Sequence, residues 1–285
     1  MKLASYVAGG RASFGIVAPG GLIDLRRRMG VESLREFLAG NSLARAAQVA
    51  GASVDYAFDE VTLLPVIPDP AHCWCVGTNY ADHLREVQDA GINRPAPTHP
   101  PLFIRYPATF VPHGAPLLVP VVSDRLDFEA ELAVIIGKGG RYVEETEAMS
   151  HVAGYACFND GSIRDWQFHS TQVTCGKNFV GTGGFGPWLV TADEIENPHD
   201  LPISLTINGT TYQDGTTRDL IFAVPRIVSY VSAMLPLEPG DVIATGTPAG
   251  VGFSRKPPVF LRPGDVCEVT IGNIGTLHNT VAAAR

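Results

Sequence analysis

The sequence has few of the features that mark secreted, membrane-spanning or disulfide-stabilised proteins. It contains five cysteines in 285 residues, an odd number without the spacing of a disulfide framework. No apolar run is long enough to cross a membrane, and the apolar stretch at the N-terminus is too short for a signal peptide. We therefore expect a cytoplasmic protein with free thiols and no membrane partner.

Basic clusters are also scarce. The formal net charge is −8, and the densest basic run is the short segment Arg26-Arg27-Arg28. An acidic chain without a basic patch has little affinity for nucleic-acid phosphates or for an anionic membrane surface. The charge distribution therefore argues against nucleic acid as a partner.

Glycine and proline, in contrast, are abundant, with 30 and 22 residues respectively. Together with short runs of apolar and β-branched residues, they predict many turns between short strands. A proline-rich segment near residues 65–70 separates an N-terminal part from the rest of the chain. We predict a β-rich α+β protein with a small N-terminal α+β domain at residues 1–66 and a larger domain at residues 67–285.

One acidic stretch, residues 125–137, reads R-L-D-F-E-A-E-L-A-V-I-I-G and predicts a strand. Side chains two residues apart share a strand face, so Asp127, Glu129 and Glu131 should point the same way. Three carboxylates beside a buried apolar run would repel one another. A hard cation such as Mg²⁺, Mn²⁺ or Ca²⁺ would relieve the repulsion, whereas a solvated edge strand is the alternative.

Further motifs follow in a fixed order. They are N-Y-A-D-H-L-R-E at residues 79–86, N-D-G-S-I-R-D-W-Q at 159–167, C-G-K-N-F at 175–179 and T-G-T-P at 245–248. With the acidic strand, this set resembles the fumarylacetoacetate hydrolase (FAH) family from about residue 70 to the C-terminus. The resemblance implies a FAH-type mixed β-roll or sandwich core and a homodimer.

The metal ligands that the resemblance implies are Glu129, Glu131 and Asp160. It also implies that Lys177 stabilises a developing enolate. His83 and Glu86 are three residues apart on a predicted helix and therefore share a face. On residues alone this pair could be a surface pair, but the resemblance implies an acid–base dyad in which Glu86 orients the imidazole.

The substrate-binding residues predicted from the same motifs are Tyr80, Arg105, Arg164, Gln167 and Thr247. Arg105 lies near a position where the family usually has lysine, a departure that could change substrate preference. An alternative role for Arg164 is an ion pair with Asp165 or with a metal-binding carboxylate. The polar, proline-containing segment 88–101 follows the predicted catalytic helix and is a candidate lid.

These assignments predict an enzyme of aromatic catabolism that binds Mg²⁺ and acts on a small 2-oxo or dioxo acid. The main prediction is a hydrolase that cleaves a C–C bond in an acylpyruvate, such as fumarylpyruvate or acetylpyruvate, through a stabilised enolate. The alternatives are an oxaloacetate-type decarboxylase, a decarboxylase/isomerase, and a catalytically silent 2-oxo acid binder. The G-x-G-x-x-G at residues 181–186 is not interpreted as a dinucleotide site, because no strand clearly precedes it and residues 187–190 predict a strand rather than a helix.

Overall fold

The computed structural model describes residues 1–40 and 42–285. The strands are β1 (Lys2–Ala8), β2 (Arg11–Ala18), β3 (Gly21–Asp24), β4 (Tyr56–Ala57), β5 (Val61–Leu63), β6 (Cys73–Val76), β7 (Leu102–Ile104), β8 (Phe110–Val111), β9 (Leu117–Val119), β10 (Leu126–Asp127), β11 (Ala130–Ile136), β12 (Val152–Asp160), β13 (Ser162–Ile163), β14 (Gly183–Thr191), β15 (Pro202–Ile207), β16 (Thr210–Thr216), β17 (Val242–Ala244), β18 (Val266–Ile271) and β19 (Gly275–Ala283). The α-helices are α1 (Leu25–Met29), α2 (Leu34–Ala39), α3 (Leu43–Ala47), α4 (Ala81–Asp89), α5 (Arg164–Gln167), α6 (Thr174–Lys177) and α7 (Val224–Met234). The predicted β-rich α+β class is therefore confirmed.

Two sheets dominate the architecture. The main path of the larger sheet has the order β4-β3-β2-β1-β14-β12-β11-β17-β6-β7, with β5 added beside β1 and β8 beside β14. The smaller sheet has the order β16-β15-β18-β19-β9. Most pairs are antiparallel, but β6 with β17, β8 with β14 and β9 with β19 are parallel. Both sheets are thus mixed, as predicted.

The N-terminal strands continue the larger sheet. β1 pairs antiparallel with β14, with Lys2 opposite Val190 and Leu3 opposite Leu189. Whether residues 1–66 fold as a unit of their own stays a prediction.

β11 lies at the centre of the molecule and is buried along its whole length. Leu132 and Val134 pack into the core shared with the smaller sheet and α7, whereas Ala133 and Ile135 pack on the opposite face with β1, β2 and α2. Each large apolar side chain buried in this way contributes about 1.5–3 kcal/mol. Because both faces are covered, Glu131 near the start of β11 is held in a fixed position.

The acidic stretch is not one continuous strand. β10 ends at Asp127 and β11 begins at Ala130, which leaves Phe128 and Glu129 in an irregular segment. Asp127 accepts hydrogen bonds from the backbone N–H groups of Gly252 (2.8 Å) and Phe253 (2.9 Å), and from Nε of Arg164 at 2.7 Å. The irregular segment interrupts the strand alternation, and the buried carboxylate cluster is formed by Glu129, Glu131 and Asp160 without Asp127.

Residues 183–186 of the glycine-rich segment form the start of β14, and strand rather than helix continues after them. A Cβ on Gly183 would lie 2.8 Å from the guanidinium of Arg105, so this glycine permits close packing. Four cysteines are buried and Cys175 is exposed, all with free thiols. No helix within residues 1–40 and 42–285 is long and apolar enough to cross a membrane.

Candidate active site

A cavity of about 390 Å³ lies where β6, β7, β11 and β12 meet α4, α5 and the turn that follows β17. Eight of the predicted site residues line it: His83, Glu129, Glu131, Asp160, Arg164, Gln167, Lys177 and Thr247. These residues are separated by up to 164 positions in sequence. The structure thus brings most of the predicted site together in one place.

The three predicted metal ligands form a buried cluster. One oxygen from each of Glu129, Glu131 and Asp160 lies within 4.8 Å of an oxygen from each of the others. The register of β11 and β12 explains this proximity, because the N–H of Asp160 donates to the carbonyl oxygen of Glu129 at 2.9 Å. Oε2 of Glu131 accepts a hydrogen bond from the N–H of Gly246 at 2.9 Å.

Two cavity-lining cations, together with the buried Arg105 next to Asp160, balance part of the negative charge. Nζ of Lys177 lies 2.5 Å from Glu129 and 2.6 Å from Asp160, and Nη2 of Arg164 lies 2.6 Å from Glu129. Burial alone would raise the pKa of Glu129, but Lys177 and Arg164 lower it to about 2. Burial, followed by repulsion from Asp160 and Glu129, raises the pKa of Glu131 well above its usual range.

Glu131 is therefore the carboxylate of the cluster without a direct cationic partner among the described residues. Oxygen-only donors and excess negative charge in a buried site fit a hard divalent cation. The residues present therefore suit a divalent metal ion.

His83 and Glu86 lie on α4, with Nδ1 of His83 2.9 Å from Oε2 of Glu86. The other carboxylate oxygen of Glu86 accepts hydrogen bonds from the Gly250 N–H (2.9 Å) and the Ser254 hydroxyl (2.6 Å). Because an ionised carboxylate can only accept, we assign the proton of neutral His83 to Nδ1. Nε2 is then the basic nitrogen, and it makes no hydrogen bond within the described ranges.

Replacing Glu86 with glutamine is expected to lower turnover about 10- to 100-fold, because the imidazole loses the group that fixes its tautomer.

Burial alone would raise the pKa of Glu86, but its hydrogen bonds with His83, Ser254 and Gly250 lower it below 4.5. The wild-type stability advantage over Glu86→Gln should therefore be full above pH 4.5 and should shrink as the pH falls further. Thermal unfolding of wild type and Glu86→Gln above and below pH 4.5 measures this difference in stability. A wild-type advantage that grows on acidification would contradict the expectation.

Two predicted substrate-binding residues lie outside the cavity lining. Arg105 is 2% exposed and donates to Oδ1 of Asp160 at 2.6 Å, to the carbonyl of Gly161 at 2.9 Å and to Thr182 Oγ1 at 2.8 Å. Tyr80 is 1% exposed, and its hydroxyl has no hydrogen-bond partner in the described part of the chain. Both side chains are buried in packed protein, and their substrate-binding role stays a prediction.

We expect Arg105→Met to act on stability more than on substrate affinity. Removal of one partner from a buried ion pair leaves Asp160 less compensated and should cost about 3–5 kcal/mol. Urea unfolding of the metal-free protein measures this cost, with Arg85→Met on the exposed face of α4 as a control for charge removal. A large increase in KM without loss of stability would restore the substrate-binding interpretation.

The remaining predicted residues contact one another inside the cavity. Nε of Arg164 donates to Asp127 at 2.7 Å, and its Nη1 donates to Oε1 of Gln167 at 2.7 Å. Arg164 therefore forms an ion pair with Glu129, one of the three carboxylates of the predicted metal site. Its side chain also lines the cavity. The hydroxyl of Thr247 accepts a hydrogen bond from Nε2 of Gln213 at 2.7 Å.

Sequence reasoning missed several residues that shape the site. The centre of the Phe253 ring lies 4.6 Å from the guanidinium carbon of Arg164. The side-chain oxygen of Gln213 accepts a hydrogen bond from the N–H of Ala130 at 2.8 Å. Arg94, within the candidate lid, lines the cavity as well. Of these residues, only Arg94 could have been found from sequence, because it is the single lysine or arginine in the candidate lid, residues 88–101.

Comparison with known proteins identifies the family. The family model described as fumarylacetoacetate (FAA) hydrolase C-terminal matches residues 72–282. The chain is 39% identical over 270 residues to the oxaloacetate tautomerase FAHD2A, mitochondrial, of Bos taurus, covering 92% of this chain and 84% of that protein. It is 40% identical over 228 residues to the oxaloacetate tautomerase YisK of Bacillus subtilis, covering 79% and 75%.

Solved structures agree with this relationship. Fumarylacetoacetate hydrolase from Exiguobacterium antarcticum superposes with a TM-score of 0.82 at 37% identity, over 100% of both chains. Maleylpyruvate hydrolase from Sphingobium sp. SYK-6, solved in complex with manganese(II) and pyruvate, has a TM-score of 0.81 at 25% identity, also over 100% of both chains. The predicted FAH-type fold is thus confirmed, and the chain belongs to the fumarylacetoacetate hydrolase family.

Proposed function

We propose that this protein is a metal-dependent enzyme that interconverts the enol and keto forms of oxaloacetate. The observation that carries the proposal is the buried Glu129, Glu131 and Asp160 cluster facing the same cavity as the His83–Glu86 pair. A 2-oxo acid can present a carboxylate and a keto oxygen together to a hard cation. Relatives described as oxaloacetate tautomerases favour oxaloacetate as the substrate over the acylpyruvate of the main sequence prediction. The predicted oxaloacetate alternative was a decarboxylase, and we propose keto–enol interconversion in its place.

We propose Mg²⁺ as the native ion, with Mn²⁺ as a substitute, held by Glu129, Glu131 and Asp160. The bound ion would supply Lewis-acid stabilisation of negative charge on the oxygens of the 2-oxo acid. The complex of maleylpyruvate hydrolase with manganese(II) and pyruvate supports the choice of a divalent ion and of a 2-oxo acid as ligand.

The protein's own groups supply the proton transfer. In ketonisation the enol O–H bond breaks, the C2–C3 double bond becomes a C2–O double bond, and C3 gains a proton. His83 is the proposed acid–base, because Glu86 holds Nδ1 and leaves Nε2 free to accept and return a proton. The Lys177 ammonium, held between Glu129 and Asp160, adds positive charge beside the developing enolate.

Hydrolysis of an acylpyruvate is the second candidate. The same His83–Glu86 pair could deprotonate a water molecule for attack on a distal carbonyl, and the maleylpyruvate hydrolase similarity favours this alternative specifically. Decarboxylation of oxaloacetate would break the C3–C4 bond without water, release carbon dioxide and leave the enolate of pyruvate, which then gains a proton at C3. The proposed substrate-binding roles of Arg164, Gln167 and Thr247 apply to every case, and a homodimer stays a prediction.

Ultraviolet absorbance of enol-oxaloacetate after dilution from an aprotic solvent tests the proposal. We expect the protein to accelerate the loss of enol, EDTA treatment to abolish the effect, and Mg²⁺ or Mn²⁺ to restore it. Carbon dioxide release and acetate formation from acetylpyruvate are measured on the same metal-loaded sample. Acetate formation without faster ketonisation would replace the tautomerase with the hydrolase, and carbon dioxide release alone would replace it with the decarboxylase.

A further inference from the structure

Arg94 differs from the other cationic side chains that line the cavity. Arg164 and Lys177 are each hydrogen-bonded to two carboxylates. The guanidinium of Arg94 makes no hydrogen bond or ion pair with any residue in the described ranges 1–40 and 42–285, although its backbone carbonyl accepts from Gln88 at 2.8 Å. A full positive charge therefore faces the cavity without a protein anion beside it.

The environment of Arg94 makes this arrangement costly unless a ligand completes it. The side chain is partly buried beside the end of β6, where its Nη2 lies 3.8 Å from the position that a Cβ on Gly77 would occupy. Burial lowers the pKa of Arg94, and Glu129 only partly offsets this effect. A partly desolvated guanidinium with five free donors is suited to a carboxylate, which it can bind through two parallel hydrogen bonds.

Other arginines near the mouth do not offer the same site. Arg125 and Arg262 line a separate depression next to Phe253, and Arg262 is paired there with Asp124 at 3.1 Å. Among the described residues, Arg94 is thus the unpaired cation that shares the cavity with the carboxylate cluster and His83.

We propose that Arg94 binds the distal carboxylate of a dicarboxylic 2-oxo acid and thereby selects such substrates over monocarboxylic ones. This inference rests on the proposed function, in which one carboxylate and the keto oxygen belong to the metal end of the site. Oxaloacetate carries a second carboxylate on the other side of its C3 carbon, and that charge needs a partner when water is excluded. Arg94 supplies the partner from the segment between α4 and β7.

The test compares oxaloacetate with 2-oxobutyrate, which has a methyl group in place of the distal carboxylate. Calorimetric titration of the Mg²⁺-loaded protein measures binding of both compounds, and thermal unfolding checks that each variant is folded. The variants are Arg94→Met, which removes the charge, and Arg94→Lys, which keeps the charge without the planar fork. Arg85→Met is the matched control, because Arg85 lies on the exposed face of α4 and pairs with Asp82.

We expect Arg94→Met to weaken oxaloacetate binding about 10- to 100-fold and to change 2-oxobutyrate binding less than about twofold, as for loss of a charge-assisted hydrogen bond. Arg94→Lys should fall between wild type and Arg94→Met, and Arg85→Met should match wild type. Equal weakening of both ligands, or no change for either, would overturn the inference. If Arg94→Met selectively lost oxaloacetate binding but the wild-type protein did not accelerate ketonisation, the carboxylate-binding role of Arg94 would be supported and the proposed reaction rejected.

Discussion

The substitution Glu131→Gln is expected to remove divalent-cation binding and to lower turnover about 100- to 1,000-fold, since it deletes one of three ligand carboxylates. The same substitution should leave the metal-free protein as stable as wild type or make it more stable. Glu131 has no direct cationic partner in the described ranges, and its charge is repelled by Asp160 and Glu129. A neutral amide of the same size removes that repulsion, and its Oε atom can still accept from Gly246.

Glu129→Gln provides the contrast, because it is the same chemical change in the same cluster. Glu129 accepts from Lys177 at 2.5 Å and from Arg164 at 2.6 Å, and all three side chains are buried. Loss of its charge leaves two buried cations undercompensated and should cost about 3–5 kcal/mol in the metal-free state. Calorimetric titration with Mn²⁺ and urea unfolding in EDTA separate ion binding from stability. If Glu131→Gln destabilised the metal-free protein as much as Glu129→Gln, the charge assignment of the cluster would be wrong.

The carboxylate cluster could be predicted from sequence because its members belong to short, recognisable motifs. The alternation of side chains along a strand placed Glu131 beside an apolar run. The antiparallel pairing of β11 with β12 then brought Asp160 opposite Glu129, the residue before β11. Asp127 obeyed the same alternation but is not part of the cluster, because backbone N–H groups of the 252–253 turn and Arg164 bind its carboxylate. Nothing in the local sequence indicated that the chain would leave the strand at Phe128 and Glu129, where the N–H of Glu129 donates to the distant Asn159 side chain.

Arg105 and Gln213 show what a motif does not contain. Arg105 follows β7 and was expected to face substrate, yet it points behind Asp160 because Gly183 on the neighbouring β14 leaves space for its guanidinium. Gln213 lies on β16 with no pattern to mark it, and it supports Thr247 only through a fold-dependent contact. Side-chain direction at strand ends depends on such distant neighbours, so sequence identified the residues more reliably than their roles.

The substitution His83→Ala is expected to lower turnover about 100- to 10,000-fold while leaving metal binding close to wild type. His83 does not belong to the carboxylate cluster, and its hydrogen bond in the described structure is made to Glu86 rather than to a metal ligand. Loss of the imidazole therefore removes the proposed proton carrier without changing the cation site. Exchange of the C3 protons of oxaloacetate with solvent deuterium, followed by NMR, reports this proton transfer directly.

His72→Ala is a matched control for that experiment. Like His83, His72 directs Nδ1 to a carboxylate, here Asp241 at 3.1 Å, but it stacks on Trp74 and does not line the cavity. Enzymatic deuterium exchange should therefore persist in His72→Ala and disappear in His83→Ala. If both variants kept the exchange, the proton would have to be carried by another cavity group. Lys177 would then be the next residue to replace, because its ammonium is a donor that already lies within hydrogen-bonding distance of the carboxylate cluster.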